Sequence, residues 1–225
     1  MNGIILLDKD PGVTSAGAVN SVKRLLPRGV KIGHAGTLDP FATGLLVLMI
    51  GKATKRCEDL MNQPKQYDAT ICMGATSETD DSETPLQLVE GATPPDEVPL
   101  QEVLKRFIGD IQQIPPAYSA LKISGKRACD RVRAGETVEL RPRIVRVYDI
   151  TLLHYAWPSA KVRIDCGRGT YIRAIARDVG KTLGVGGYLT ELRRTRSGSF
   201  NVDQALTVEQ LRVDGIEPHL IVQSI

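Results

Sequence analysis

Asp39 stands inside Gly33-His34-Ala35-Gly36-Thr37-Leu38-Asp39-Pro40-Phe41-Ala42-Thr43-Gly44-Leu45-Leu46, the segment in which this sequence concentrates its capacity for chemistry. Pro40 pushes the residue before it into extended backbone, so no helix begins at Asp39. Gly36 and Gly44 permit positive φ or the close approach of another molecule's backbone. Leu45 to Ile50 is an apolar run that reads as a buried strand. A single carboxylate on a constrained loop, anchored by a strand, is a way to present a nucleophile or a general base. A turn aspartate capping its own backbone explains the same residue types and is the commoner case.

Other chemistries find less support. The cysteines (Cys57, Cys72, Cys129, Cys166) form no CxxC or CxxH pair, and His34, His154 and His219 are far apart. Zinc sites draw ligands from close pairs, so no metal site and no cofactor are expected. Hydrophobic residues make up 42% of the 225, enough for a real core. No apolar run approaches the roughly 20 residues of a membrane span. MNGIILLDKD lacks the basic region and cleavage site of a signal peptide, so a cytoplasmic protein is expected. The net charge of +3 hides an asymmetry: Gly74 to Leu104 holds eight acidic residues and no Lys or Arg, which leaves +11 elsewhere. Gln112 to Arg146 holds eight Lys or Arg against Asp130, Glu136 and Glu139. A local positive field favours a polyanion partner, although a solvated face balanced by the acidic stretch is equally compatible.

The elements that must position Asp39 follow from periodicity. Gly3 to Leu7 reads as a strand, and Thr14 or Ser15 caps a helix to about Leu26. Gly33 to Gly44 reads as a loop, Ala53 to Met61 as a helix, and Tyr67 to Met73 as a strand with Tyr67, Ala69, Ile71 and Met73 on one side. Thr76 to Pro99, polar and acidic, is expected as a surface excursion. Leu100 to Ile108 is a helix, and Ile114 to Leu140 mixes turns with a basic helical stretch. Ile144 to Tyr155 and Lys161 to Cys166 form a hairpin around Pro158. Ile172, Ile175, Ala176, Val179 and Leu183 make Thr170 to Leu183 an amphipathic helix. Tyr188 to Phe200 is mostly strand, and a small helix lies near Val208 to Leu211. Without a βαβ rhythm the fold class is α+β.

GHAGTLDPFATGLL closely resembles the catalytic motif of the TruB family of tRNA pseudouridine synthases. Five further blocks follow the family's order. Asp8-Lys9-Asp10-Pro11-Gly12-Val13-Thr14-Ser15 resembles its DKPxGxTS, and Lys65-Gln66-Tyr67 its KxY. Ile114 to Lys122, with Gly125-Lys126, resembles its IPPxYSAxKxxGK thumb. Cys166 to Arg173 resembles CxKGTYIR, and Leu192-Arg193-Arg194-Thr195 with Gly198 and Phe200 resembles LRRTxxG-F. Asp10 stands where the family usually has Pro, and Arg168 where Lys is common.

The resemblance implies a mixed, mainly antiparallel sheet of the pseudouridine synthase type, flanked by helices and bearing an RNA-gripping thumb at about 112–140. It implies a catalytic domain over 1–200, and a short tail over 201–225 in place of a full C-terminal RNA-binding domain. The activity implied is isomerisation of the T-loop uridine of tRNA, position 55, to pseudouridine. Asp39 would be the catalytic carboxylate, paired with Arg173 and joined by Tyr67 at the base. His34, Tyr171, Leu192, Lys9, Lys122 and Lys126 would contact substrate. The partner would be the T arm of tRNA, bound by a monomer away from any membrane. On the bland side, Arg173 is an exposed helix arginine beside Arg177 and Lys181, and Tyr67 a half-buried strand tyrosine. A non-catalytic RNA-binding module and a guide-RNA-dependent synthase are the alternatives on the same fold. A glycoside hydrolase would want a second carboxylate, for which Asp8 or Asp178 would have to serve.

Overall fold

In the computed structural model, which describes residues 1–119, 121–123 and 125–221, the first half of the chain forms β1 (Gly3–Lys9), α1 (Ser15–Lys23), β2 (Ile32–His34), β3 (Thr43–Ile50), α2 (Cys57–Asn62), β4 (Lys65–Met73), β5 (Ala75–Ser77), β6 (Leu86–Leu88), α3 (Glu97–Lys105) and β7 (Gly109–Gln113). The second half forms β8 (Lys122–Ile123), β9 (Lys126–Arg127), α4 (Ala128–Arg133), β10 (Arg143–Ala156), β11 (Ser159–Cys166), α5 (Ile172–Thr182), β12 (Gly187–Ser197), β13 (Phe200–Asn201) and α6 (Val208–Asp214). Contacts gather these into two units, Met1–Asp68 with the chain from Leu192 onward, and Ala69–Glu191. β4 and β12 contribute residues to both.

In the first unit β1 and β3 pair antiparallel from Gly3↔Ile50 to Lys9↔Gly44. Ile4, Leu6, Leu45, Val47 and Met49 point into one apolar cluster, with Leu60 and Phe200. Ile5, Leu7, Leu46, Leu48 and Ile50 point into another, with Val22, Leu211 and Ile216. Both faces are covered, which is why these strands read as unbroken apolar runs without alternation. β12 lies parallel to β3 through Arg193↔Thr43 and Arg194↔Gly44, and β2 pairs antiparallel with β3 through Ile32↔Ile50 to His34↔Leu48. Thr14 caps α1, its hydroxyl accepting from the Gly17 N–H at 3.0 Å. The helix expected over Ala53 to Met61 begins as a 3-10 turn, Gly51–Arg56, before α2. The tail is tied down: Leu206 donates to the Leu6 carbonyl at 3.0 Å, and Ile4 and Ile221 exchange backbone hydrogen bonds at 2.9 Å.

In the second unit the strand order is β12, β4, β11, β10, β7. β10 and β11 form the hairpin expected around Pro158, antiparallel from Val147↔Cys166 to Ala156↔Ser159. β4 buries alternate residues, among them Ala69, Ile71 and Met73. α5 buries Ile172, Ala174, Ile175, Ala176 and Val179. Gly180 lets the chain after α5 return across it, since a Cβ there would collide with the Gly186 carbonyl.

The acidic stretch departs from expectation. β5 and β6 do form a surface hairpin, with Leu88 exposed, but Thr79, Asp80 and Asp81 are buried. The reason is charge: both aspartates ion-pair with arginines of α5. Among the described residues no helix is long and apolar enough to cross a membrane.

Candidate active site

The loop carrying Asp39 is held through its main chain. The buried Ser15 hydroxyl donates to the Leu38 carbonyl at 2.9 Å and accepts from the Leu38 N–H at 2.8 Å. On the other side of Asp39, the Pro40 carbonyl accepts from the Gly12 N–H at 2.9 Å and from Lys9 Nζ at 3.1 Å. Arg194, buried, donates from Nε to the Leu45 carbonyl at 2.6 Å and from Nη2 to the Gly36 carbonyl at 3.2 Å. Ala35, Leu38 and Ala42 are packed inward, and Ala42 N–H closes the turn on the Asp39 carbonyl at 3.1 Å. Gly44 is required here: φ is +96°, and a Cβ would collide with the Arg194 carbonyl. Asp39 itself is half-buried, its backbone fixed from both sides.

Lys9 was expected to contact substrate. The structure places its ammonium under the loop, buried, donating to the carbonyls of Asp10, Val13 and Pro40 at 2.9, 2.8 and 3.1 Å. All three of its protons are committed. Burial lowers its pKa, opposed by the nearby carboxylates of Asp10 and Asp39. His34 is half-buried on β2, and its Nδ1 is buried without a hydrogen-bond partner. Burial lowers the His34 pKa; the Gly36 backbone opposes this and Arg194 reinforces it. His34 also lines a groove of about 530 Å³ with Lys23, Lys31, Met49, Thr54 and Cys57. Tyr67 on β4 and Leu192 on β12 are buried in the same unit. Asp8, one of the spare carboxylates a two-carboxylate hydrolase would need, is engaged by both Arg193 Nη atoms at 3.0 and 2.7 Å.

Arg173 and Tyr171 lie in the second unit. Arg173 is not the exposed helix arginine of the bland reading; it is buried. Its Nη1 donates to the Thr79 carbonyl at 2.7 Å and lies 3.2 Å from Asp81 Oδ2, while Nη2 donates to the Tyr118 carbonyl at 3.0 Å. Asp81 is fixed in turn by the Thr79 hydroxyl at 2.5 Å and the Glu83 N–H at 3.0 Å. Tyr171 precedes α5, and its N–H and carbonyl are clamped by the buried Gln113 amide at 2.8 and 3.1 Å. Asp178 is held by Arg177 at 2.8 Å. Lys126 on β9 is exposed. Lys122 has its backbone in β8, and its side chain lies outside the described part of the structure. Arg131 of the thumb is already ion-paired with Glu136 at 2.6 Å.

Sequence reasoning missed Ser15, Arg194, Gln113 and Asp81 as organisers. Arg194 and Ser15 lie inside family-like blocks, so block membership was the available signal. Gln113 and Asp81 carried none. Among the described residues no group of three or more His, Cys, Asp or Glu could hold a metal ion. What the geometry offers is one carboxylate on a rigid loop, and a separately buried arginine aligned by acidic and carbonyl partners.

A family model described as TruB family pseudouridylate synthase, N-terminal domain, matches residues 23–172, and one described as tRNA pseudouridylate synthase B C-terminal domain matches 173–215. A tRNA pseudouridine synthase B of Aromatoleum aromaticum is 45% identical over 217 residues, covering 94% of this chain and 68% of that protein. That of Phocaeicola vulgatus is 42% identical over 214 residues, covering 92% of this chain and 90% of the relative. Among solved structures, a Cbf5–Nop10–Gar1 complex matches with a TM-score of 0.72 at 32% identity, over 96% of this chain and 57% of that one. An H/ACA RNP bound to a substrate RNA containing 2'-deoxyuridine matches with a TM-score of 0.69 at 31% identity, over 96% and 56%.

Proposed function

Because the chain belongs to the TruB family of pseudouridylate synthases, a family of isomerases, we propose that it converts the T-loop uridine at position 55 of tRNA to pseudouridine with Asp39 as the catalytic carboxylate. The observation that carries this reading is the clamping of the Asp39 loop by Ser15, Lys9 and Arg194 through main-chain atoms. Catalysis by a carboxylate depends on holding it at a near-attack distance, and a loop fixed from both sides does so without prior reorganisation.

The reaction breaks the glycosidic C–N bond, turns the uracil, and rejoins it through carbon on the same face of the sugar. A carboxylate serves this as a covalent catalyst at sugar or base, or by assisting loss of a proton from the sugar. Arg173, its guanidinium aligned by Asp81 and the Thr79 and Tyr118 carbonyls, is the cationic member of the proposed catalytic set. Tyr67 stacks on the target base, and Tyr171 and Leu192 contact substrate. The uridine leaves a folded loop, at a cost of a few kcal/mol, and aromatic stacking returns roughly 1–3 kcal/mol per base. His34 fills the vacated stack, and Lys122 and Lys126 of the insertion at 112–140 contact phosphates. Residues 1–200 make up the catalytic domain. The protein works as a cytoplasmic monomer on free tRNA, and its mass in solution by light scattering tests the monomer.

The decisive experiment is to incubate purified protein with T-arm RNA, with no metal, nucleotide, guide RNA or partner protein, and map pseudouridine. Product should appear at position 55. Asp39→Asn should lower the single-turnover rate about 10³-fold or more while RNA affinity stays within a few-fold. An active Asp39→Asn variant ends the reading. The likeness to Cbf5-containing complexes favours a second reading, guide-dependent action on other RNA. Product that forms only after a guide RNA and partner proteins are added would establish that one instead.

A further inference from the structure

α5 carries a second arginine one turn beyond Arg173, and its contacts belong to no part of the chemistry above. Arg177 Nη2 donates to the Ile114 carbonyl at 2.8 Å, and Arg177 Nη1 meets the buried Asp80 Oδ2 at 2.8 Å. Arg177 Nε bonds Asp178 at 2.8 Å, which orients the guanidinium from behind. Asp80 adopts a left-handed backbone with φ of 59°. A non-glycine residue holds that conformation at some cost, and only where its surroundings fix it. Its carbonyl accepts from the Leu189 N–H at 3.0 Å. Ile114, Pro115 and Pro116 form the root of the basic insertion, with both prolines buried. The Gln113 and Tyr118 contacts already described fix the residues on either side of that root.

We propose that Arg177 is a positioning residue which, with Asp80, locks the root of the RNA-gripping insertion to α5. The inference rests on the RNA-modifying reading above, because it assigns the insertion to RNA binding. A guanidinium suits this role because its planar fork reaches a carboxylate and a carbonyl at once, which an ammonium at the end of a lysine does not reproduce. The lock acts at Ile114, ahead of the phosphate-contacting residues, so its release changes how often the insertion is poised rather than what it touches. Apparent affinity is reduced by the fraction of molecules in the competent arrangement.

The experiment uses the full chain with T-arm RNA. Arg177→Gln, Arg177→Lys and the charge-balanced pair Asp80→Asn with Arg177→Gln are compared with the parent. Three quantities are read: RNA dissociation constant, single-turnover rate at saturating RNA, and the rate of tryptic cleavage between Lys122 and Arg133. Arg177→Gln and the double variant should bind RNA about 10-fold more weakly, be cleaved faster, and keep the saturating rate within about threefold. Arg177→Lys should fall between. A role confined to stability would lower the unfolding midpoint and leave affinity and cleavage of the folded chain unchanged. That outcome in the double variant, whose charge is balanced, overturns the proposal. A parent chain that forms no pseudouridine defeats the functional reading instead, so the two failures are distinct.

Discussion

At the scale of single residues, Asp39 is presented by bonds to its neighbours' main chain. Ser15 does the most per atom: one hydroxyl satisfies both the N–H and the carbonyl of Leu38, in a buried setting. Ser15→Ala leaves two buried backbone groups without that partner, at about 1–3 kcal/mol in stability. Urea unfolding of the variant should show that loss. If the clamp sets the Asp39 geometry, the folded variant should also lose about tenfold in single-turnover rate at unchanged RNA affinity, because small displacements of a catalytic group cost rate steeply. A variant with full rate would mean that the remaining bonds, from Lys9, Gly12 and Arg194, suffice to hold the loop. Asp39 was legible because a proline and two glycines give its loop a recognisable local stiffness. Ser15 was not, because its partner is 23 residues away and a serine after a threonine reads first as a helix cap.

At the scale of elements, the periodic segments were the legible ones. α5 and the β10–β11 hairpin follow their apolar spacing within a residue or two. The acidic stretch was misread, since composition reports polarity and says nothing about an arginine arriving from a helix some 90 residues later. The turn at Thr79–Asp81 is buried because α5 brings Arg173 and Arg177 to it. This arrangement has a pH signature. Burial pushes Asp80 up to about 6, against the pull of Arg177 and Arg173, with Asp178 pushing the same way as burial. Burial also opposes the charge of Arg177, but Asp178 and Asp80 outweigh it and raise its pKa. With a folded value above the ordinary 3.8, Asp80 contributes stability that is full below the unfolded value and lost as pH rises through about 6. Two pKa units correspond to on the order of 3 kcal/mol at most. Acidification from about pH 7.5 to about 5 should thus raise the stability due to this group, while removing the ion pair that holds Ile114. Asp80→Asn should therefore be at least as stable as the parent at about pH 7.5 yet bind T-arm RNA more weakly. Its deficit should close as pH falls through about 6, where the parent loses the same charge. Parallel binding profiles for the two chains across that range would rule out Asp80 as the titrating group.

At the scale of the whole molecule, charge is segregated along the sequence, and both poles fall in the second unit. The −8 of Gly74 to Leu104 is not simply a solvated counterweight to the basic insertion, because Asp80 and Asp81 spend their charge on α5. Nor is every basic residue of the insertion available for phosphate, since Arg131 is engaged by Glu136. Beside Arg131 the sequence of the insertion holds Lys122, Lys126, Arg127 and Arg133. A chain neutralising about four phosphates should show a log–log salt dependence with a slope near about −3, between the duplex and single-strand coefficients. Lys126→Ala should make that slope shallower by nearly one and weaken binding alike for matched and mismatched T-arm sequences, as expected of a backbone contact. Arg131→Ala should change it little, because that guanidinium surrenders an existing ion pair to reach RNA. Titrations between about 50 and 200 mM salt distinguish these cases. A flat response in the parent would remove RNA gripping from the insertion altogether, while leaving the Asp39 loop and its chemistry untouched.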